Sequence, residues 1–245
     1  MPYASTVGFV LGASAWGEQD KIVHMLTQKR GILKAIAPGA LKVKNRFGSL
    51  LELLTEGDFV YYWNEDKEMV TLSKGEIVRS YFHLVSRPEN IFYFYLITEI
   101  ILKFTPSQHR EIRLFKLLQS ILTNRDQGID IHHLLLYFLI WILRIEGMMF
   151  KPDFCYNCSN RGLKTAWVKT NFRGILCRQC HGDEKIKLEA EDLNYIQWTE
   201  THNPREINAW TNRLNPGELI RLFVKKIEHH GEFALKCTHY LPEFR

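Results

Sequence analysis

The sequence predicts an α+β protein in which a small N-terminal β-barrel precedes a helical domain with a cysteine-containing insert. Three observations support this prediction. Short apolar runs between turn signals fill the first eighty residues, longer apolar segments with helical spacing follow, and two Cys-x2-Cys pairs interrupt those helices. We therefore expect a barrel domain over 1–80 and a helical domain over 81–245, with the insert at 155–180.

Composition places the chain among ordinary globular proteins. Of its 245 residues 46% are hydrophobic and 24% are charged, which excludes a largely disordered chain. The strongly apolar, charge-free run 131–143 has thirteen residues, whereas a membrane span needs about 20. No basic segment precedes an apolar stretch at the N-terminus, so we expect no secretory signal and a cytosolic protein, in which disulfides are rare.

The barrel is predicted from short runs rich in β-branched and aromatic residues. The expected strands are 7–13, 22–27, 32–37, 59–63 and 68–72. Pro38-Gly39 is a strong turn signal after the third strand, and 64–67 is a polar turn between the last two. Strands at roughly ten-residue spacing favour a small closed barrel.

The helical domain is predicted from apolar residues at helical spacing. The expected helices are 91–104, 111–122, 131–145 and a C-terminal helix after Asn215 and Pro216. Pro106 and Gly147 end the first and third of them. Asn215 is a typical N-cap and Pro216 a typical first-turn residue. Such segments predict a packed core and carry no functional implication.

Four of the five cysteines have the spacing of a zinc site. Eighteen residues separate Cys155-x2-Cys158 from Cys177-x2-Cys180, which is typical of a tetrahedral four-thiolate site. Strands within 163–176 would bring the two pairs together. Because four thiolates leave no open coordination position, we expect one structural Zn²⁺ per chain.

Two other interpretations of the cysteines are weaker. Redox-active or incidental pairs remain an alternative to zinc. Cys177 to His181 also match the pattern of c-type haem attachment, but that chemistry needs export and leaves Cys155 and Cys158 unexplained. Cys237 is expected to be a small buried residue.

No catalytic motif is visible in the sequence. It contains no glycine-rich phosphate loop, no His-Glu-x-x-His and no Gly-x-Ser-x-Gly. Glu18 and Asp20 could hold a metal as a pair, but we expect them to cap or brace the barrel. The protein is therefore predicted not to be an enzyme.

The net charge is +5, and its distribution points to a polyanion. Seven basic residues and no acid lie between positions 21 and 51. Lys42, Lys44 and Arg46 alternate, so an extended chain would place them on one face. The candidate phosphate contacts are Lys29, Arg30, Lys34, Lys42, Lys44 and Arg46. A solvated face without a partner is the alternative.

Aromatic side chains that could stack on bases are less clear than the cations. Phe47 is adjacent to the basic segment. Tyr61, Tyr62 and Trp63 lie in a predicted strand, where we expect core positions.

An ordered series of short motifs resembles the bacterial recombination mediator RecO family. The series begins with Phe9-Val10-Leu11, Gly17-Glu18-x-Asp20, Leu26-Thr27, Arg30-Gly31, Gly39-Ala40 and Lys44-x-Arg46. It continues with Glu146-Gly147, Phe150-x-Pro152 and the two cysteine pairs. Asn45 stands where the family often has Ser, and 235–238 departs from the family's usual Leu-Lys-Ser-Arg.

The resemblance implies an oligonucleotide-binding (OB) fold barrel, a helical domain and a zinc-binding insert. It implies a non-enzymatic mediator that binds single- and double-stranded DNA, anneals complementary strands and acts with RecR to load RecA on DNA coated by single-strand-binding protein (SSB). It further implies binding of the acidic, apolar C-terminal tail of SSB and a location at the bacterial nucleoid in the cytoplasm.

Two hypotheses about partners remain open beside this one. An acidic apolar tail needs an apolar groove rimmed with cations, and Arg221 and Lys225 on the C-terminal helix are candidate rim residues. The alternative function is an adapter that binds only proteins through its helices and zinc insert. An enzyme that uses the insert as a clamp on nucleic acid is the third possibility, for which no carboxylate cluster is visible.

Overall fold

The computed structural model describes residues 3–63, 68–106 and 110–244. The polar turn predicted at 64–67 lies outside these ranges. The chain divides into two compact units, 1–122 and 123–245. The predicted domain boundary after residue 80 stays a prediction.

Five strands form a closed barrel in the first unit, as predicted. They are β1 (Tyr3–Trp16), β2 (Asp20–Thr27), β3 (Gly31–Ala37), β4 (Glu56–Tyr62) and β5 (Val70–Arg79). Their order around the barrel is β1-β2-β3-β5-β4, and β4 pairs with β1 to close it. Only β3 and β5 are parallel neighbours. This closed five-stranded barrel has the architecture of the OB-fold.

The first strand closes the barrel because it pairs on both sides. Its N-terminal half pairs with β4 and its C-terminal half with β2, and the register with β2 shifts between Val10 and Gly12. Such an irregularity bends a strand and strengthens its twist. At fourteen residues, β1 is twice as long as the predicted run 7–13, because its polar ends also pair.

One segment between β3 and β4 contributes to the barrel interior. A 3-10 turn at Gly48–Leu51 follows Phe47, and Phe47, Leu50 and Leu51 are all buried in the barrel core. A Cβ at Gly57 would lie 2.7 Å from a methyl carbon of Leu50. Glycine is therefore required on β4 for this turn to pack into the barrel.

Helices cover part of the barrel's outer surface within the first unit. They are α1 (Phe82–Val85), α2 (Pro88–Phe104) and α3 (Ile112–Asp126), and the division between the units falls within α3. The rings of Phe9 on β1 and Phe115 on α3 lie 5.0 Å apart. The amide of Gln119 donates to the buried Glu56 carboxylate at 2.9 Å.

The second unit contains three longer helices and a small sheet. The helices are α4 (Ile131–Ile145), α5 (Ala190–Trp198) and α6 (Pro216–Gly231). The sheet has the order β7-β6-β8, with β6 at Ala166–Val168, β7 at Ile175–Leu176 and β8 at Ile186–Leu188. Short 3-10 turns lie at Pro204–Ala209, Cys237–Tyr240 and Pro242–Phe244. No helix of the described ranges combines the length and apolar character needed to cross a bilayer.

Side-chain caps define where α4 and α6 begin. The Asn215 side chain accepts from the backbone N–H of Gly217 at 3.1 Å, as its sequence position predicts. Asp130 accepts from the backbone N–H groups of His132 and His133, and one of its oxygens lies 2.9 Å from the His133 ring. These hydrogen bonds hold the pKa of Asp130 well below its usual value although burial opposes them.

A buried lysine joins α6 to the hairpin between β6 and β7. The Lys226 ammonium donates to the backbone carbonyl of Phe172 and lies 3.2 Å from the His230 ring. Phe172 has a φ of 55°, a conformation that residues other than glycine rarely adopt. Lys226 is only 1% exposed, and this burial lowers its pKa to about 8.

We expect Lys226 to make stability depend on pH. In the unfolded chain its pKa returns to about 10.5, so below pH 8 both states are charged and the burial penalty is present in full. As pH rises above 8 only the folded chain releases the proton, and the penalty is relieved. Between pH 7 and 9.5 the free energy of unfolding should rise by about 2 kcal/mol more in wild type than in Lys226→Met. Urea titrations at both pH values measure this difference, and parallel profiles for the two proteins would contradict it.

Candidate nucleic-acid interface and metal centre

The four paired cysteines meet at one point in the second unit. The sulfurs of Cys155, Cys158, Cys177 and Cys180 all lie within 4.8 Å of one another. The sulfurs of Cys158 and Cys177 are 3.7 Å apart. Tetrahedral zinc with bonds of about 2.3 Å would place its sulfur ligands about 3.8 Å apart, so the Cys158–Cys177 distance and the clustering of the four sulfurs fit a Zn²⁺ site.

The small sheet positions these cysteines, as the sequence predicted. β6 and β7 pair antiparallel, with Trp167 opposite Leu176. This pairing places Cys177, directly after β7, beside the first cysteine turn, where the backbone N–H of Tyr156 donates to the carbonyl of Ile175 at 2.8 Å. The third strand, β8, was not predicted, since its three residues give no clear alternation.

The electrostatics of the cluster favour a bound cation. Burial opposes ionisation of Cys155, but backbone N–H groups of Cys158, Cys177 and Asn157 outweigh it and lower its pKa to about 6. The side chains of Cys158 and Cys177 raise the pKa of Cys180 to about 12. Four thiolates this close therefore do not ionise together without a divalent ion between them. With four sulfur ligands such an ion would have a structural role.

The basic segment after β3 forms an exposed loop of turns. Lys42, Lys44 and Arg46 are exposed, as expected for phosphate contacts, but the loop is not extended. The Asn45 side chain accepts from the backbone N–H groups of Phe47 and Gly48 and donates to the carbonyl of Lys42. Because these bonds fold the segment into turns, the extended chain on which the alternation argument depended is not formed, and a common face for the three cations stays a prediction.

This loop is fixed to the turn between β1 and β2. The backbone N–H of Leu41 donates to the carbonyl of Gln19, and that of Gly39 donates to the Asp20 carboxylate, both at 2.8 Å. The expectation that Asp20 braces the barrel is thereby confirmed. The loop between β1 and β2 is one of the two loops with which OB-folds bind oligonucleotides, so the basic loop lies beside a typical binding edge.

The other predicted cations lie away from this loop. Lys29 and Arg30 form the turn after β2, about 23 Å from Asp20 along that strand. Lys29 donates to the backbone carbonyl of Ser5 at 2.9 Å, and the Arg30 guanidinium lies 3.8 Å from the ring centre of Trp63. The six candidate cations therefore do not converge on one end of the barrel.

Lys34 lies between these two ends on the outer face of β2 and β3. It is opposite His24 in the register of the two strands. Burial, and then the charge of Lys34, lower the pKa of His24, so this histidine adds hydrogen-bonding capacity rather than charge at neutral pH. The face of these strands is the surface that OB-folds present to single strands.

The aromatic residues near the cations differ from those that the sequence suggested. Phe47 is 4% exposed and belongs to the barrel core, so it cannot stack on a base. Tyr61 is buried as expected, whereas Tyr62 and Trp63 are half-buried. Trp16, which the sequence interpretation missed, is 53% exposed at the end of β1, where it pairs with Asp20, the residue that binds the backbone N–H of Gly39. Its position directly before Gly17 and the turn was the available signal.

Arg221 and Lys225 lie on the exposed side of α6, one turn apart. The Arg221 guanidinium donates to the backbone carbonyl of Glu243 at 2.9 Å. The cleft that Arg221 lines has a volume of about 650 Å³ and also contains the carboxylates of Asp130, Glu218 and Glu243. This charge does not favour an acidic ligand in the cleft itself.

The comparisons with known proteins agree with both halves of this description. The family model described as Recombination protein O N terminal matches residues 1–81, and the model described as Recombination protein O C terminal matches residues 85–236. These two models define a class of DNA repair protein in which the barrel precedes the helical part. The chain belongs to the RecO family.

Relatives with this name resemble the chain along most of its length. The DNA repair protein RecO of Clostridium novyi is 28% identical over 242 residues, which cover 96% of this chain and 93% of that protein. The RecO protein of Clostridium acetobutylicum is 25% identical over 224 residues, covering 89% and 90%. That of Listeria monocytogenes serotype 4a is 27% identical over 190 residues, covering 76% and 71%.

Proposed function

We propose that this RecO-family DNA repair protein is a non-enzymatic mediator of recombination in the bacterial cytoplasm, associated with the nucleoid. It binds single- and double-stranded DNA, anneals complementary strands and acts with RecR to load RecA onto SSB-coated single strands. The observation that carries this proposal is the OB-type barrel with an exposed loop containing Lys42, Lys44 and Arg46.

The charge and shape of the barrel support binding without sequence preference. Exposed cations in a loop contact phosphates, which fix position but carry little sequence information. Trp16 offers an exposed ring at the turn to which this loop is bound, and every base can stack on an aromatic face. A protein that handles any strand in repair needs this sequence-independent chemistry.

The zinc centre supports a non-enzymatic function, because its four thiolates would give the ion a structural role. Cys155, Cys158, Cys177 and Cys180 would hold one Zn²⁺ per chain with no position left for substrate. The ion would supply cross-linking between the two cysteine turns, and the phosphodiester backbone of DNA would not react at it.

The tail of SSB is the second proposed ligand of the chain. Its acidic residues would pair with exposed cations such as Arg221 and Lys225, while its apolar end would need an apolar surface near α6. Since three carboxylates line the cleft beside Arg221, we place the tail outside that cleft, along the face on which Lys225 is exposed. RecR is proposed as the third partner, from family membership alone.

An annealing assay on SSB-coated complementary strands tests this function. We expect the protein to accelerate annealing of coated strands well above the spontaneous rate, because it binds both SSB and DNA. Strands coated with SSB that lacks its C-terminal tail are the control. The acceleration should be smaller on these strands, whereas the protein should still accelerate annealing of naked strands, which carry no SSB. In a parallel assay, RecR should be required for RecA loading. A folded, zinc-loaded protein that leaves the annealing rate unchanged would contradict the proposal.

A further inference from the structure

The zinc-binding insert and its sheet carry more positive charge than a structural module needs. Between positions 151 and 188 there are eight lysines and arginines and three carboxylates. The cations are Lys151, Arg161, Lys164, Lys169, Arg173, Arg178, Lys185 and Lys187. Even with the two negative charges of a four-thiolate zinc site, an excess of about three remains. All of them except the half-buried Lys169 are exposed.

Three of these lysines lie beside aromatic rings. The ammonium of Lys169 is 4.4 Å from the ring centre of Tyr156, that of Lys151 is 5.7 Å from Phe154, and that of Lys187 is 5.9 Å from Trp167. Cations and rings are therefore presented together along this segment.

The Lys151–Phe154 pair and the ring of Tyr156 line the same cleft of about 200 Å³. Arg173 also lines it. The Tyr156 ring lies on the backbone of Gly174, where a Cβ would come within 2.6 Å of the ring, and it is 49% exposed. Among the residues that the structure describes, Lys151, Lys169 and Arg173 form no ion pair within 4.0 Å.

We propose that this surface, which we call the insert surface (Lys151, Tyr156, Lys169 and Arg173), is a second binding site for single-stranded nucleic acid. Unpaired cations would contact phosphates, and the Tyr156 ring would stack on or against a base. An acidic peptide is the competing ligand. Nucleic acid fits better because the cations extend over the whole module and two of them lie beside separate rings, Phe154 and Tyr156. An extended polyanion with aromatic bases would contact both kinds of group.

The proposal deepens the proposed annealing function and rests on it. Annealing brings two strands together, and a chain with one site in the barrel and another in the insert would hold one strand at each. No base-specific contact is needed at either site, because pairing between the strands supplies the sequence information.

Two oligothymidylate strands, one with a donor and one with an acceptor fluorophore, test the proposal on the full-length zinc-loaded protein. These strands cannot pair, so energy transfer reports that the protein holds both. We expect transfer with wild type and its loss in the triple variant Lys151→Gln, Lys169→Gln and Arg173→Gln. Binding of one strand at the barrel should persist in this variant. Any residual binding at the second site should show a slope of log K against log salt that is flatter by about 2 units.

The matched control removes the same charge elsewhere in the second unit. Arg205→Gln, Arg213→Gln and Lys236→Gln, all at exposed positions outside the insert, should together leave energy transfer at the wild-type level. Tyr156→Ala should weaken the second site about tenfold, whereas Tyr156→Phe, which keeps the ring, should not. Zinc content and thermal unfolding midpoints identify any variant that fails to fold. If the triple variant fails to fold, the comparison of Tyr156→Ala with Tyr156→Phe still tests the second site.

The remaining outcomes separate the two proposals. Unchanged transfer and slope in the folded insert variant, with binding abolished by substitution of Lys42, Lys44 and Arg46, would overturn the second site and leave the DNA-binding function standing. If the insert variant instead loses binding to an acidic, apolar peptide and keeps both DNA sites, the insert surface is a protein-docking site. That result would also overturn the second nucleic-acid site. A wild-type protein that binds no oligothymidylate would overturn both proposals.

Discussion

Replacing Cys155 with Ser should remove zinc and destabilise the second unit more than any other single change we consider. Cys155 is fully buried, and three backbone N–H groups stabilise its thiolate. With three ligands left, the site loses the closed tetrahedron that makes zinc binding part of the folding free energy. We expect zinc to fall from one per chain to well below one, and the free energy of unfolding of this unit to fall by more than about 3 kcal/mol.

The effect should extend beyond the cysteine turns. Lys226 on α6 is buried against the hairpin that joins β6 and β7, and its ammonium donates to the carbonyl of Phe172. If the hairpin loosens, this cation loses its partner inside an apolar environment, which is costly. Loss of zinc should therefore destabilise α6 as well as the insert.

Cys237→Ser is the matched control, because it makes the same chemical change outside the cluster. It should keep one zinc per chain and near wild-type stability. Elemental analysis and urea unfolding followed by circular dichroism measure both quantities. Wild-type protein purified without chelator that contains well under one zinc per chain would show that the cluster does not hold zinc.

Much of the fold was predictable because its signals are local. Pro38-Gly39 ends β3, Asn215 and Pro216 begin α6, and the apolar run at 131–145 is α4 residue for residue. The two Cys-x2-Cys pairs predicted their own convergence, since the chemistry of a four-thiolate site requires it. Each of these features depends on residues within a few positions of one another.

The features that the sequence did not predict depend on the tertiary structure. Phe47 follows a polar loop in sequence, yet it fills the barrel because Gly57 leaves room for the turn that carries it. Lys42, Lys44 and Arg46 alternate, but the Asn45 side chain folds their segment into turns. The burial of Lys226 had no signal in the sequence, because it depends on the hairpin between β6 and β7 that carries Phe172.

Replacing Lys42, Lys44 and Arg46 together with Ala should strongly weaken single-strand binding at the barrel and reduce its salt dependence. Each cation that neutralises a phosphate releases counterions and contributes about 0.7 to the slope of log K against log salt on single strands. Removal of three contacts should flatten this slope by about 2 units. At moderate salt this corresponds to a loss in affinity of at least tenfold, since the contacts act together.

The variant should otherwise resemble wild type. The three side chains are exposed in a loop whose backbone contacts, from Leu41 to Gln19 and from Gly39 to Asp20, do not involve them. The recorded side-chain contacts of Arg46 are a weak hydrogen bond to the carbonyl of Leu72 and the ring of Phe47. Zinc content and the unfolding midpoint should therefore not change.

A control with the same change in charge separates a specific loop from general electrostatics. Lys74, Arg87 and Lys116 are exposed cations of the first unit outside the loop. Their replacement by Ala lowers the net charge equally, so a long-range effect of charge alone would weaken DNA binding by the same amount in both variants. A salt titration by fluorescence anisotropy distinguishes the two cases.

If the loop variant keeps wild-type affinity and slope, the loop is a solvated surface. The barrel would then contribute shape rather than affinity, and the insert surface alone, or no DNA site at all as in a protein-only adapter, would have to account for the function.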